Sequence, residues 1–175
     1  MRLFITLSVI FILVTGCGIA NDESKIIYDP DERLRKISSE VQNITKTDLQ
    51  TIDDMTTEVE NKNAAGLAAP QIGVNKRIIV VNDFKNEKIF AMINPQILSS
   101  EGQTIAVESC LSIKGIAGVV KRSDKIKVLF MDEDGKKQSA TYTGLLSRTI
   151  QHEIDHLNGT LFYDIAKDVF SEVKQ

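Results

Sequence analysis

The sequence predicts an α+β domain in which mixed or antiparallel sheets pack around a late helix, and three observations predict it. Strand-like runs cluster between one early and one late helical pattern, without the regular alternation of a doubly wound parallel sheet. The chain has 175 residues, 42% hydrophobic and 26% charged, with 10 Gly and only 3 Pro, a composition able to bury one core. Beyond residue 21 there is no internal repeat, low-complexity tract or Pro/Gly-rich linker. A single domain is therefore expected over residues 25–167, with a tail at 168–175.

Taken in order, Asp29 is expected to cap a turn that starts at Pro30 and runs through Arg33 and Leu34, since proline fits the first helical position. Thr47-Asp48-Leu49-Gln50 has capping-box spacing, and Leu49, Ile52, Met55 and Val59 then recur on one face up to about Asn61. Small residues from Asn61 to Gly73 break that period. Strands follow at Arg77–Val81, Lys88–Ile93, Thr104–Glu108, Gly115–Val120 and Lys125–Phe130, and Asp132-Glu133-Asp134-Gly135 turns a hairpin into Lys137–Tyr142. The last helix runs from about Leu145 to Leu157 and stops at Asn158-Gly159, ahead of a short strand at Thr160–Tyr163.

The N-terminus is set apart. Arg2 precedes an apolar run from Leu3 to Val14, too short to span a bilayer and of the length of a signal h-region. Leu13-Val14-Thr15-Gly16-Cys17 resembles the lipobox of bacterial lipoproteins, so residues 1–16 read as a removable signal, Cys17 as a lipid-anchored N-terminus and 17–24 as a tether. A hydrophobic strand or a mis-started N-terminus is the other reading. Processing would leave an exported, membrane-anchored bacterial protein, and a retained segment a cytoplasmic one.

Net charge of −3, from 21 Lys plus Arg against 24 Asp plus Glu, offers no basic surface for nucleic acid. Two Cys build no disulfide framework. The chemistry concentrates in His152-Glu153-Ile154-Asp155-His156, where the only two histidines stand four apart on one helix face and can share a metal ion, with Glu153 within reach of its water. A histidine pair near a helix C-terminus also occurs simply because cations suit that end of the dipole. Cys110, where a predicted strand stops, completes a Cys-His-His set that leaves one tetrahedral position open, as in a catalytic site; alone it would read as a buried hydrophobe. In Ala64-Ala65-Gly66-Leu67-Ala68-Ala69-Pro70-Gln71-Ile72-Gly73 small residues permit close backbone approach, and Gln71 offers an amide donor to a developing oxyanion. Two other readings stay open: an amidase with Cys110 as nucleophile and His152 or His156 as base, and an exported lipoprotein that binds metal or a peptide without activity.

Together these segments resemble the peptide deformylase family. Its motifs Gly-x-Gly-x-Ala-Ala-x-Gln, Glu-Gly-Cys-Leu-Ser and His-Glu-x-x-His are matched at Ala64–Gln71, Glu108–Ser112 and His152–His156, in that order, and the opening Ile27–Arg35 is similar to the family's start. The resemblance implies release of formate from N-formylmethionyl peptides or nascent chains. It implies Cys110, His152 and His156 as ligands of one divalent metal, iron(II) first, with zinc, nickel or cobalt able to fill the same geometry. It also implies Glu153 as general base, Gln71 and the backbone N–H of Leu111 as oxyanion donors, and Gly66, Leu67, Glu108 and Leu145 as substrate-binding residues. Three departures stand out. Ala64 and Ser109 replace glycines, and Ala117, by an ungapped count from Cys110, falls where the family usually has a peptide-anchoring Arg.

Overall fold

The computed structural model describes residues 24–171. The signal segment 1–16, Cys17 and most of the tether lie outside the described residues. Helix α1 (Lys46–Asn61) is followed by strands β1 (Gly66–Ala68), β2 (Ile78–Asp83), β3 (Lys88–Glu101), β4 (Thr104–Cys110), β5 (Ile113–Arg122), β6 (Lys125–Met131) and β7 (Lys137–Thr143). Helices α2 (Gly144–Leu157) and α3 (Phe162–Ile165) and strand β8 (Val169–Ser171) complete the α+β fold. Five strands form one sheet in the order β1-β2-β3-β6-β7 and three form a second, β4-β5-β8, every pair antiparallel.

Strand β2 shows why the layers stack as they do. Its apolar run Ile78-Ile79-Val80-Val81 is buried on both faces, because alternate side chains of a strand point to opposite sides. Ile78 and Val80 pack with Ile52, Met55 and Val59 of α1, while Ile79 and Val81 pack with Ile150, Ile154 and Leu157 of α2. The large sheet is thus sandwiched between the two helices. A third cluster, Leu34, Ile113, Val120, Leu161 and Phe162, joins the small sheet to α3. Among the described residues no helix is long and apolar enough to cross a membrane.

Local chemistry moved several boundaries. Asp31, not Asp29, caps the first turn: its carboxylate accepts from Arg33 N–H at 2.9 Å over the 3-10 turn Glu32–Arg35. The capping box is Thr45 with Asp48, two residues ahead of the expected start, because both reciprocal bonds close there (Thr45 N–H to Asp48 Oδ2 2.9 Å, Asp48 N–H to Thr45 Oγ1 3.3 Å). Leu49 is 37% exposed and lies off the buried stripe of Ile52, Met55 and Val59. The expected strand at Thr160–Tyr163 is instead the start of α3, whose Asp164 accepts from Leu161 N–H at 2.8 Å. The chain beyond Lys167 is not all tail, since Val169–Ser171 pairs with β5. Helix α2 does end at Asn158-Gly159. Gly159 has φ +72°, and a Cβ there would lie 2.3 Å from the carbonyl oxygen of Arg35, so only glycine lets the turn seat against that backbone.

Candidate metal centre

Helix α2 carries the chemistry on the face turned away from the large sheet. His152 and His156 stand one turn apart, 9% and 1% exposed, with ring centroids 5.0 Å apart. Cys110 ends β4, paired with Ile113 of β5, and its Sγ lies 3.3 Å from His156 Nε2. One donor atom from each of Cys110, His152 and His156 falls within 4.8 Å of the others, as one ion would require. The structure brings together the three ligands that sequence spacing proposed from segments about forty residues apart.

The surroundings orient these donors. Glu108 Oε2 faces His152 Nδ1 at 3.0 Å, which leaves the other ring nitrogen for the ion. Glu108 also accepts from Arg122 Nε (3.0 Å) and Nη2 (2.9 Å) and from Arg148 Nη1, and Arg122 bonds Asp155 as well. Burial alone would raise the Glu108 carboxyl, but the bonds from His152 and Arg122 hold it at about 2. Glu108 was expected to bind substrate. It lines the cavity, but it is 7% exposed and its oxygens are engaged by Arg122, Arg148 and His152, so its contacts in the structure are all to protein groups. For His152, burial disfavours the charge, yet the bonds toward Cys110 and Glu108 push it up to about 10, whereas burial drives His156 well below the usual histidine range.

Glu153 is 4% exposed, and burial, with the charge of Glu108 adding to it, lifts its carboxyl to about 7 despite the opposing effect of His152. Its Oε2 is buried with no hydrogen-bond partner, an acceptor kept free at the site. Gln71 is clamped from both ends: Oε1 accepts from Ala68 N–H at 2.8 Å, and Nε2 donates to Ser112 Oγ at 3.2 Å and toward Cys110 Sγ at 3.4 Å. This thiol and two imidazoles, with the free carboxylate beside them, fit a divalent transition metal with an open position.

A cavity of about 840 Å³ opens from this centre, lined in part by Gly66, Leu111, Ser109 and Leu145, the last 58% exposed at the mouth. Gly66 leaves space for two side chains of α2: a Cβ there would sit 2.8 Å from Thr149 Cγ2 and 2.9 Å from Glu153 Oε1, so one of them would have to shift. Leu67 was expected in the substrate site, but its side chain is fully buried in the core with Ile78 and Val80 and does not line the cavity. Ala64 lies outside the positive-φ residues, so its Cβ introduces no backbone strain.

Ala117 does not face the cleft either. Four residues of β5, from Lys114 to Ala117, stand opposite Ser109 alone, between the pairs Cys110–Ile113 and Glu108–Gly118. Ala117 is 2% exposed and pairs with Phe170 of β8. Sequence reasoning missed Arg148 and Arg122; Arg148 stands one turn before His152 on the same face, a spacing that could have exposed it.

Residues 23–171 match the polypeptide deformylase family. The chain belongs to that family. It is 44% identical over 134 residues to the peptide deformylase of Halothermothrix orenii, covering 77% of this chain and 87% of that one. Among solved structures it is similar to a peptide deformylase from Synechococcus elongatus in complex with actinonin (TM-score 0.80, 36% identity, 93% of this chain and 88% of that). A peptide deformylase from Legionella pneumophila is also similar (TM-score 0.77, 40% identity, 81% and 85%). Deformylases are metal-dependent hydrolases that remove an N-terminal formyl group, and the antiparallel sheets wrapped around α2 are this family's fold.

Proposed function

We propose that the chain hydrolyses the formyl group of N-formylmethionyl peptides, with Cys110, His152 and His156 as ligands of one iron(II) ion. The observation that carries the reading is the convergence of those three donors beside the unpartnered Glu153 Oε2 at the closed end of the cavity. When bound, a divalent cation supplies Lewis acidity, bringing the pKa of a water from about 15.7 toward about 7 and polarising the formyl carbonyl. Glu153 takes the proton of the attacking water and returns it to the departing amine. Gln71 Nε2, exchanging its long contact with Cys110 Sγ, and the N–H of Leu111 donate to the oxygen on which charge develops, the amide being held by Ala68 N–H and Ser112 Oγ. Glu108 holds His152 in its ligating orientation.

The test is formate release from a formyl-Met tripeptide by protein purified anaerobically with iron(II). Loss of activity on thorough chelation, restored by iron(II), is expected. Full activity in metal-stripped protein would instead favour Cys110 as nucleophile, since its Sγ also lies within reach of His156 Nε2.

Residues 1–16 are proposed as an export signal and Cys17 as the lipid attachment point, a reading supported by the apolar run and the residues before Cys17. Incorporation of labelled palmitate into the full chain, abolished in Cys17→Ala, is the expected result.

A further inference from the structure

Three cations line the cavity: Lys62, Lys114 and Arg148. Arg148 is consumed by Glu108 and by the carbonyls of Thr104 (3.0 Å) and Val120 (3.2 Å). Lys62, at the end of α1, leans toward Glu58 at 3.7 Å. Lys114 alone has no carboxylate within ion-pair distance among the described residues. It is exposed, rides on the bulge of β5 next to the metal-ligand strand, and its Nζ is seated 3.6 Å from the centroid of the Tyr28 ring. Tyr28 is itself held in place, because the next residue, Asp29, donates its N–H to Ser112 O at 2.9 Å. The ring orders the ammonium without neutralising it. The carboxylates on the cavity wall do not compete: Glu108 is saturated by two guanidinium groups and Glu153 is buried at the closed end.

We propose that Lys114, with Lys62 also lining the cavity, forms a carboxylate-selecting subsite. The enzyme then prefers substrates that carry a negative charge two to three residues beyond the formylated one. An extended peptide advances about 3.3–3.6 Å per residue, so such a carboxylate lies roughly 7–10 Å from the formylated residue, far enough to leave the buried centre for an exposed side chain such as Lys114. The charge comes from the free C-terminus of a short formyl-peptide or from an acidic side chain of a longer one. This preference rests on the deformylase reading above.

Binding of the product tripeptide Met-Ala-Ser to iron-loaded protein, measured by calorimetry at low salt, separates the two ideas. The free acid is expected to bind about two- to fivefold more tightly than its C-terminal amide, the range of an exposed ion pair. The ratio should collapse toward one in Lys114→Met or in high salt, and be retained in Lys114→Arg, a pattern that loss of structure would not produce. Met-Ala-Glu-amide against Met-Ala-Gln-amide reads the side-chain source on its own. Equal affinities in both pairs, or a preference undiminished in a Lys62→Met/Lys114→Met double variant, overturn the rim subsite alone. Failure of every peptide to bind overturns the peptide-hydrolase reading with it.

Discussion

Glu108 Oε2 lies 3.0 Å from His152 Nδ1, and the same carboxylate holds the buried guanidinium groups of Arg122 and Arg148. One side chain therefore faces a histidine of the candidate metal centre and neutralises two cations inside the protein. Glu108→Gln should lower metal affinity by roughly 10–100-fold, the usual effect of losing such a partner of a ligating histidine. It should also destabilise the protein by about 3–5 kcal/mol, since the buried Arg148 loses its only carboxylate partner and Arg122 keeps Asp155 alone. Competition with a chelator of known affinity and the Tm of the metal-free variant check the two effects separately. Unaltered metal affinity would show that His152 is oriented by something else.

Glu153→Gln should retain the metal and lose hydrolysis by roughly 10²–10⁴-fold, because the amide keeps the size of the side chain but cannot take a proton from water. Metal content by elemental analysis and kcat on a formyl-Met tripeptide are the measurements. Near-normal turnover in a metal-replete variant would place the base elsewhere.

The space beside Glu153 is as specific as its charge. In Gly66→Ala the new methyl would press on Thr149 Cγ2 and Glu153 Oε1, both less than 3.0 Å away on a packed helix. Since a displacement of about 1 Å in catalytic geometry can cost on the order of 100-fold, kcat should fall at least tenfold while metal content is unchanged. Thr149→Ser in the same chain should recover little, because it removes only one of the two contacts.

Helix α1 and the histidine pair are legible because each has a local signature: a period near 3.6 in Ile52, Met55 and Val59, and two histidines four apart ahead of a helix stop at Asn158-Gly159. Strand β1 had none. Gly66-Leu67-Ala68 is too short and too small for alternation to register, and it is a strand because its backbone pairs with Val80 and its neighbours. Leu67 illustrates the cost: its place in the motif suggests the cleft, whereas the strand turns its side chain into the core. The Glu108 network is invisible for another reason: its arginines lie 14 and 40 residues away, and nothing local pairs them.

Acid stability should carry the mark of Asp48. Burial by itself would raise its carboxyl, but the Lys76 ammonium and the hydroxyl and N–H of Thr45 outweigh it and hold the group below its ordinary 3.8. A carboxyl with a depressed folded value binds protons more readily when unfolded. Its contribution is therefore present above pH about 4 and lost as pH falls through the folded value. Asp48→Asn should destabilise the protein at neutral pH and flatten the decline in Tm on acidification. An acid limb of unchanged steepness would assign that decline to other groups.

Ala117→Arg tests the corrected geometry most directly. Counting seven residues from Cys110 suggests that an arginine there would reach the carbonyls of a bound peptide and lower KM. The bulge between Lys114 and Ala117 turns the position away from the cavity, and at 2% exposure, opposite Phe170, it has no room for a long side chain. A guanidinium forced into that site is buried without a partner or expels β8 from the small sheet, and either outcome destabilises. Tm should drop and proteolysis near Val169–Ser171 should accelerate, with no selective gain on formyl-Met peptides over single formyl-methionine. A stable variant whose KM falls only for peptides would return Ala117 to the cleft and refute the register of β5 against β4.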